Sequence, residues 1–147
     1  MSQYVFIVDD DPAVRDSISL WLSCHHYQTL CFEDAVQFTQ QFTANLKGCI
    51  IADIRMPGMD GLELQAHLNE IGCQLPLIFI TGHGTVPMAV EAMRSGALDY
   101  LRKPVNEQQL LHKVAEAFAT DQANSEQQLL TLAHQTQLNS LTNREQQ

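Results

Sequence analysis

Short apolar runs and helix-length amphipathic segments alternate five times within residues 1–119, and this alternation limits the possible folds more than any other feature. The runs are rich in β-branched and aromatic residues, which predicts strands. They cover residues 4–9, 27–32, 49–53, 77–81 and 98–103. The first, third and fourth are apolar nearly throughout, as is typical of central strands in a parallel sheet covered on both faces. The sequence therefore predicts a doubly wound α/β sandwich.

Residues 120–147 differ in character from the rest of the chain. They are polar and rich in glutamine, with a thin apolar stripe at Leu129, Leu132 and Ala133. So few apolar side chains cannot form a core of their own. The length of 147 residues and the apolar content of 45% suit one globular domain with a short appendage. We expect a domain at residues 1–119 followed by a helical or flexible linker.

The chain is acidic, with 8 Lys and Arg residues against 17 Asp and Glu residues and a formal net charge of −9. Such a surface repels phosphate backbones and anionic lipids, so tight DNA binding by these residues is not expected. No apolar run approaches the roughly 18 residues of a membrane span. The four cysteines show no Cys-x-x-Cys spacing and favour buried, reduced thiols. We expect a cytoplasmic protein that does not bind membranes.

Polar residues follow four of the five predicted strands. They are Asp9, Asp10 and Asp11 after the first strand, Asp53 after the third, Thr81 after the fourth and Lys103 after the fifth. Ligands of open parallel sheets bind beyond the carboxyl ends of the strands, so these groups should meet at one edge. Two acids about 5 Å apart repel by roughly 3 kcal/mol at an effective dielectric constant near 20. A hard cation such as Mg²⁺, which prefers oxygen ligands, would relieve this repulsion.

The same edge could hold a phosphoryl group on Asp53. A metal ion would lie on one side of that group, and the Thr81 hydroxyl and the Lys103 ammonium would lie on the other. Each phosphoryl oxygen would then have a partner, and transfer would be driven by positioning and charge neutralisation. The pattern predicts that Asp53 is a nucleophile toward phosphorus.

Four motifs, in this order, resemble the receiver domain of bacterial two-component response regulators. They are "FIVDDDPAVR", "IIADIRMPGMDGLEL", "IFITGHG" and "ALDYLRKP", and the resemblance covers residues 4–119. The segment "ITGHGTVPMAVEAMRSGALDYLRKP" is similar to the FixJ-like branch, whose members join a receiver to a LuxR-type helix-turn-helix. The resemblance implies a flavodoxin-like (CheY-like) five-stranded parallel sheet in the order 2-1-3-4-5, with helices on both faces.

The resemblance also implies roles for the acidic residues. Asp53 would accept a phosphoryl group from a sensor histidine kinase. Asp9 and Asp10 would form the acidic pair, with Asp10 as a direct Mg²⁺ ligand and Arg55 contributing its backbone carbonyl. Mn²⁺ could replace Mg²⁺. Asp11 would cap the first helix. Such a protein is a phosphoacceptor that takes part in its own phosphorylation and autodephosphorylation, and is not a classical enzyme.

Further roles fall on the residues around the fourth and fifth strands. Thr81 would be the switch hydroxyl, and Tyr100 the aromatic side chain that changes rotamer with it. Lys103 would pair with a phosphoryl oxygen, and the bond between Lys103 and Pro104 would be cis. Gly82 would leave room for the phosphodonor.

The fourth helix and fifth strand would form the output face, which phosphorylation would bias toward a homodimer. Val86, Met88, Val90 and Met93 are the candidate residues of this face. His83 lies two residues after Thr81, and we predict that it tunes dephosphorylation. The segment "SLTNREQQ" at residues 140–147 resembles the opening of a LuxR-type domain. DNA binding and transcription regulation would therefore depend on a C-terminal domain beyond these residues.

Three alternatives remain open. A phosphatase of the haloacid dehalogenase type needs a second Asp two residues after the nucleophile, where this chain has Arg55. A flavodoxin-like cofactor binder needs a phosphate loop rich in Ser, Thr and Gly, where this chain has three acids. A receiver-like interaction module that works without phosphorylation would normally lack part of the Asp, Thr and Lys set, which is complete here.

Overall fold

The computed structural model describes residues 3–42, 46–82 and 85–122. In these residues a central sheet is flanked by helices. The strands are Tyr4–Val8 (β1), Gln28–Phe32 (β2), Gly48–Asp53 (β3), Leu77–Thr81 (β4) and Asp99–Arg102 (β5). The helices are Pro12–Cys24 (α1), Ala35–Gln41 (α2), Gly61–Glu70 (α3), Val86–Arg94 (α4) and residues 107–122 (α5). Strand and helix alternate as predicted.

The five strands are parallel and lie in the order β2-β1-β3-β4-β5, which confirms the expected doubly wound sheet. Val8 of β1 pairs with Ala52 of β3, and Thr81 of β4 pairs with Arg102 of β5. This register brings the carboxyl ends of β1, β3, β4 and β5 to one edge. The polar residues that follow these strands are therefore close together.

Alternate side chains of the central strands enter two separate hydrophobic clusters. Phe6, Ile50 and Phe79 belong to the cluster that includes buried residues of α2, α3 and α4. Ile7 and Ile51 belong to the cluster that includes residues of α1 and α5. Strands β3 and β4 are buried at every position. The sheet thus has a hydrophobic core on each face, as the apolar runs predicted.

Two cysteines are not where the sequence placed them. All four are free, as expected, but Cys24 and Cys31 are exposed. Cys24 is the last residue of α1, and Cys31 lies on β2, which is an edge strand. The end of a helix and an edge strand are both more exposed to solvent than a central strand, so the prediction of burial was wrong for these two thiols.

The helix α5 is hydrogen-bonded to the amino-terminal edge of the sheet, opposite the strand-end acids. Asp121 is only 4% exposed, and its Oδ2 accepts hydrogen bonds from the Gly48 amide at 2.9 Å and from Gln3 Nε2 at 3.3 Å. The packed part of the domain therefore reaches at least Asp121, two residues beyond the expected boundary at residue 119. The expected linker lies mostly outside the described residues. No helix among the described residues is long and apolar enough to cross a membrane.

Candidate functional site

Three carboxylates meet at the carboxyl edge of the sheet. Asp9 and Asp10 follow β1, and Asp53 is the last residue of β3. One carboxylate oxygen from each lies within 4.8 Å of the others. Asp9 is completely buried and Asp53 is 6% exposed, whereas Asp10 is exposed. The structure brings together the three acids that the sequence predicted as metal ligands.

The turn from β1 into α1 fixes the side chain of Asp9. The Asp11 amide donates a 2.8 Å hydrogen bond to Asp9 Oδ1, and Arg15 Nη1 donates a 2.6 Å bond to the Asp9 carbonyl. Asp11 itself caps α1, because its Oδ1 accepts a hydrogen bond from the Ala13 amide at 2.9 Å. Pro12 occupies the first helical turn, where its missing N–H does no harm. The predicted capping role of Asp11 is confirmed.

Lys103 is the cation of the acidic cluster. Its Nζ lies 3.0 Å from Asp9 Oδ2 and 3.0 Å from Asp53 Oδ2. The Lys103 amide donates a 2.9 Å hydrogen bond to the Thr81 carbonyl, which holds the end of β5 beside the end of β4. The bond between Lys103 and Pro104 is cis, as the sequence resemblance implied. One ammonium group therefore forms ion pairs with two buried carboxylates.

Burial and charge act in opposite directions on these groups. Burial raises the pKa of Asp9, and the charge of Asp53 adds to this effect, while the Asp11 amide and Lys103 oppose it. Burial lowers the pKa of Lys103, but its interactions with Asp9 and Asp53 together outweigh burial and raise it. Lys103 donates its hydrogen bond to Asp53 Oδ2. Asp9 Oδ2 is charge-paired but receives no hydrogen bond from the described residues.

These groups fit a divalent cation with hard oxygen ligands. The buried Asp9 Oδ2 has the Lys103 ammonium at 3.0 Å but no well-aligned hydrogen-bond donor among the described residues, and the neighbouring Asp10 carboxylate is exposed. Among the described residues this group consists of carboxylates alone, and carboxylate oxygens are typical ligands of Mg²⁺, which keeps several waters. An ion at this position would offset the like charges that one lysine neutralises incompletely.

The chain after Asp53 is held by α3. The Arg55 amide donates a 3.2 Å hydrogen bond to Asp53 Oδ1, and the Gly61 amide donates a 2.7 Å bond to the Ile54 carbonyl. A Cβ atom on Gly61 would lie 2.7 Å from the Asp53 carbonyl oxygen. Only glycine allows α3 to begin this close to the acid. Sequence reasoning missed Gly61, although a glycine at the first helical position, where it is a poor helix former, is a signal of close approach.

The predicted switch residues lie at the end of β4, directly after it and on β5. Thr81, at the end of β4, is 3% exposed. Gly82 is exposed, and a Cβ atom there would lie 3.8 Å from the Lys103 side chain, so its surroundings are open. Tyr100 is partly buried against the cluster that contains Phe79. His83 lies outside the described residues, and its role stays a prediction.

The predicted output residues on α4 are mostly at the surface. Val86 is 77% exposed, Val90 46% and Met93 45%. Met88 is partly buried and packs against the core. Three apolar side chains of one short helix therefore face solvent, which helical spacing alone could not distinguish from core packing.

Comparison with known proteins identifies the family. The family model described as the response regulator receiver domain matches residues 5–115. The chain belongs to this family. The receiver is 40% identical to the response regulator protein TmoT of Ectopseudomonas mendocina over 145 residues, which are 97% of this chain and 65% of TmoT. It is 33% identical to the transcriptional regulatory protein FixJ of Bradyrhizobium diazoefficiens over 144 residues, 98% of this chain and 70% of FixJ.

A solved structure extends the likeness to the fold. The response regulator StyR matches with a TM-score of 0.92 and 36% identity, over 99% of this chain and 74% of StyR. These similarities support the FixJ-like character of the receiver. The receiver chain spans about half to two thirds of the length of curated relatives such as the TodT proteins and TmoT.

Proposed function

We propose that Asp53 accepts a phosphoryl group from a sensor histidine kinase and that this modification switches the face formed by α4 and β5. The observation that carries the proposal is the position of Lys103, whose ammonium lies 3.0 Å from both Asp53 and Asp9. A carboxylate beside a fixed cation and two further acids is suited to phosphoryl transfer by charge neutralisation.

The acidic residues would hold the metal ion. Asp9, Asp10 and Asp53 would supply carboxylate oxygens, and the Arg55 carbonyl would be the remaining protein ligand. Mg²⁺ is the expected ion and Mn²⁺ a possible substitute. When bound, the ion supplies positive charge to the phosphoryl oxygens.

Phosphoryl transfer would form a P–O bond to an Asp53 oxygen while the P–N bond of the donor phosphohistidine breaks. The leaving imidazole keeps the bonding electron pair. Lys103 stays within reach of the new phosphoryl group, and Gly82 adds no side chain to obstruct the donor. Autodephosphorylation is the attack of water on the same phosphorus, with release of the Asp53 carboxylate. His83 would tune this step.

The added charge of about −1.5 to −2 would attract the Thr81 hydroxyl, and Tyr100 would change rotamer with it. The exposed side chains of Val86, Val90 and Met93 would then become part of a homodimer interface with a second copy of this chain. In a longer parent protein, residues 1–119 would be the receiver and residues 120–147 the linker to a LuxR-type DNA-binding domain.

Light scattering before and after treatment with acetyl phosphate and Mg²⁺ tests the switch, with phosphoryl occupancy measured by intact mass in the same sample. Wild-type protein should become dimeric in proportion to its occupancy. The Val90→Asp variant should be phosphorylated but remain monomeric, whereas Leu20→Asp, an equal charge change at a side chain 65% exposed on α1, should dimerise normally. Full phosphorylation without any change in mass by scattering would contradict the output mechanism. An absence of phosphorylation in the folded protein would favour the phosphorylation-independent interaction module.

A further inference from the structure

The helix α4 is weakly packed along most of its length. Ala92 is its only buried residue; in its first half Val86 and Val90 are exposed, and Met88 is only partly buried against the core. Its N-cap Thr85 receives a long 3.3 Å hydrogen bond from the Met88 amide. A helix with so few buried contacts is a natural candidate for movement on a weak stimulus.

The C-terminal end of α4 is attached differently, through two side chains of α3. Gln65 is 3% exposed, and its Nε2 donates a 2.9 Å hydrogen bond to the Ala92 carbonyl. Asn69, one turn further along α3, donates a 3.0 Å bond from Nδ2 to the Ser95 carbonyl. Both acceptors are carbonyls at the end of α4, where intrahelical donors run out.

A surface cavity lies beside these hydrogen bonds. It has a volume of about 360 Å³ and is lined in part by Gln65, Asn69 and Ser95. The Ala97 amide also donates to the Ala92 carbonyl, at 3.0 Å. The Ala92 carbonyl of α4 therefore accepts hydrogen bonds both from α3 and from the segment that leads into β5.

We infer that Gln65, assisted by Asn69, is a positioning residue that fixes the C-terminal end of α4, so that the helix pivots about Ala92 when the receiver is switched. The first half of α4, which follows Thr81 in the chain, moves, and the second half stays on α3. The anchor converts a change at the phosphorylation site into a defined rotation of the exposed apolar face. This inference rests on the proposed function for its output, but the anchor itself can be tested without phosphate.

Amide hydrogen exchange tests the pivot in the full chain. In wild-type protein, phosphorylation should change the exchange of Ala89 and Val90 and leave that of Ser95 and Ala97 unchanged. In unphosphorylated Gln65→Met, which keeps the side-chain length but removes the donor, Ser95 and Ala97 should exchange about three- to tenfold faster. Asn69→Ala, at an exposed position, should show a smaller change in the same direction.

The dimer affinity separates positioning from simple stabilisation. Phosphorylation tightens the dimer by a factor, the dimer ratio, equal to the dissociation constant of the unphosphorylated protein divided by that of the phosphorylated protein. In Gln65→Met this ratio should fall about three- to tenfold, while the phosphoryl gain by mass is unchanged. The matched control is Gln37→Met, which removes an exposed hydrogen bond that Gln37 Oε1 accepts from the Glu33 amide just before α2 and should leave the ratio unaltered.

Three results would overturn the inference. One is an equal response of Ala97 and Ala89 to phosphorylation in the wild type. The second is faster exchange in Gln65→Met with no change in the dimer ratio, and the third is an equal change of that ratio in Gln37→Met. A phosphorylated wild type that stays monomeric would instead refute the proposed output, and the exchange comparison would still decide whether Gln65 anchors α4.

Discussion

Replacing Lys103 by methionine should expose the repulsion between the buried carboxylates. Lys103 Nζ lies 3.0 Å from Asp9 Oδ2 and from Asp53 Oδ2, and these acids lie within 4.8 Å of each other. Two unit charges at 4.8 Å repel by about 3.5 kcal/mol at an effective dielectric constant of about 20. Removing one partner of a buried ion pair commonly costs about 3–5 kcal/mol. We expect Lys103→Met to lose about 3 kcal/mol of unfolding free energy at neutral pH in EDTA.

Metal and pH should each reduce this loss. Mg²⁺ would neutralise the same carboxylates, so it should stabilise Lys103→Met more than it stabilises wild-type protein. The raised pKa of Asp9 means that the folded protein binds a proton at a higher pH than the unfolded chain does. Stability therefore falls as the pH rises through the titration of Asp9. Because Lys103 opposes the rise in this pKa, Asp9 of the variant should bind its proton at a still higher pH, and the deficit of the variant should shrink as the pH is lowered below 7.

Urea unfolding with EDTA or with Mg²⁺ measures both effects. A loss of about 3 kcal/mol lowers the midpoint by about 1–3 M for a domain of ordinary size. The control is Lys113→Met, which removes a lysine that pairs with Asp99 at 2.8 Å and with Glu116 at 3.1 Å rather than with Asp9 or Asp53. This control should show no additional Mg²⁺ dependence. Equal Mg²⁺ stabilisation of wild-type protein and Lys103→Met would refute the view that lysine and metal serve the same carboxylates.

Three other predictions follow from contacts outside the ion cluster. Gly61→Ala should lower the unfolding free energy by about 1–3 kcal/mol, because its Cβ would lie 2.7 Å from a backbone oxygen. Gly82→Ala, whose Cβ would lie 3.8 Å from the nearest side chain, should leave the unfolding free energy unchanged, and urea unfolding of both variants checks this. Asp121→Ala should lower the unfolding free energy by about 1–3 kcal/mol, because it leaves the buried Gly48 amide without a hydrogen-bond acceptor. Asp121→Asn, which keeps an acceptor, should lower it less. In native protein, iodoacetamide should modify exposed Cys24 well before buried Cys49, whose pKa is raised by burial and by a nearby carboxylate; peptide mass analysis would show the order.

The sheet and the acidic cluster could be predicted from the sequence because both depend on local patterns. The central strands are short apolar runs rich in β-branched and aromatic residues, and Asp9, Asp53, Thr81 and Lys103 lie at the end of a strand or directly after it. Once the strands are parallel, Asp9, Asp53 and Lys103 must share an edge, so no knowledge of side-chain contacts was needed.

The attachments of the helices could not be predicted in the same way. The bond from Gln65 to Ala92 joins residues 27 positions apart, and the bond from Gly48 to Asp121 joins residues 73 positions apart. Such pairs depend on how helices pack, and a buried glutamine looks in the sequence like any surface glutamine. The exposure of Cys31 could have been predicted, because the expected order 2-1-3-4-5 already makes β2 an edge strand; the prediction of burial relied on apolar neighbours in the sequence alone.

The mass of the intact protein after treatment with a phosphodonor decides whether Asp53 is the site of phosphorylation. The receiver would be incubated with acetyl phosphate in Mg²⁺ or in EDTA, as wild type, as Asp53→Asn and as Asp11→Asn, the last of which keeps the helix cap. We expect one added phosphoryl group on wild type and on Asp11→Asn in Mg²⁺, and none in EDTA or on Asp53→Asn. An equal gain on Asp53→Asn, or a gain that does not depend on metal, would contradict this expectation.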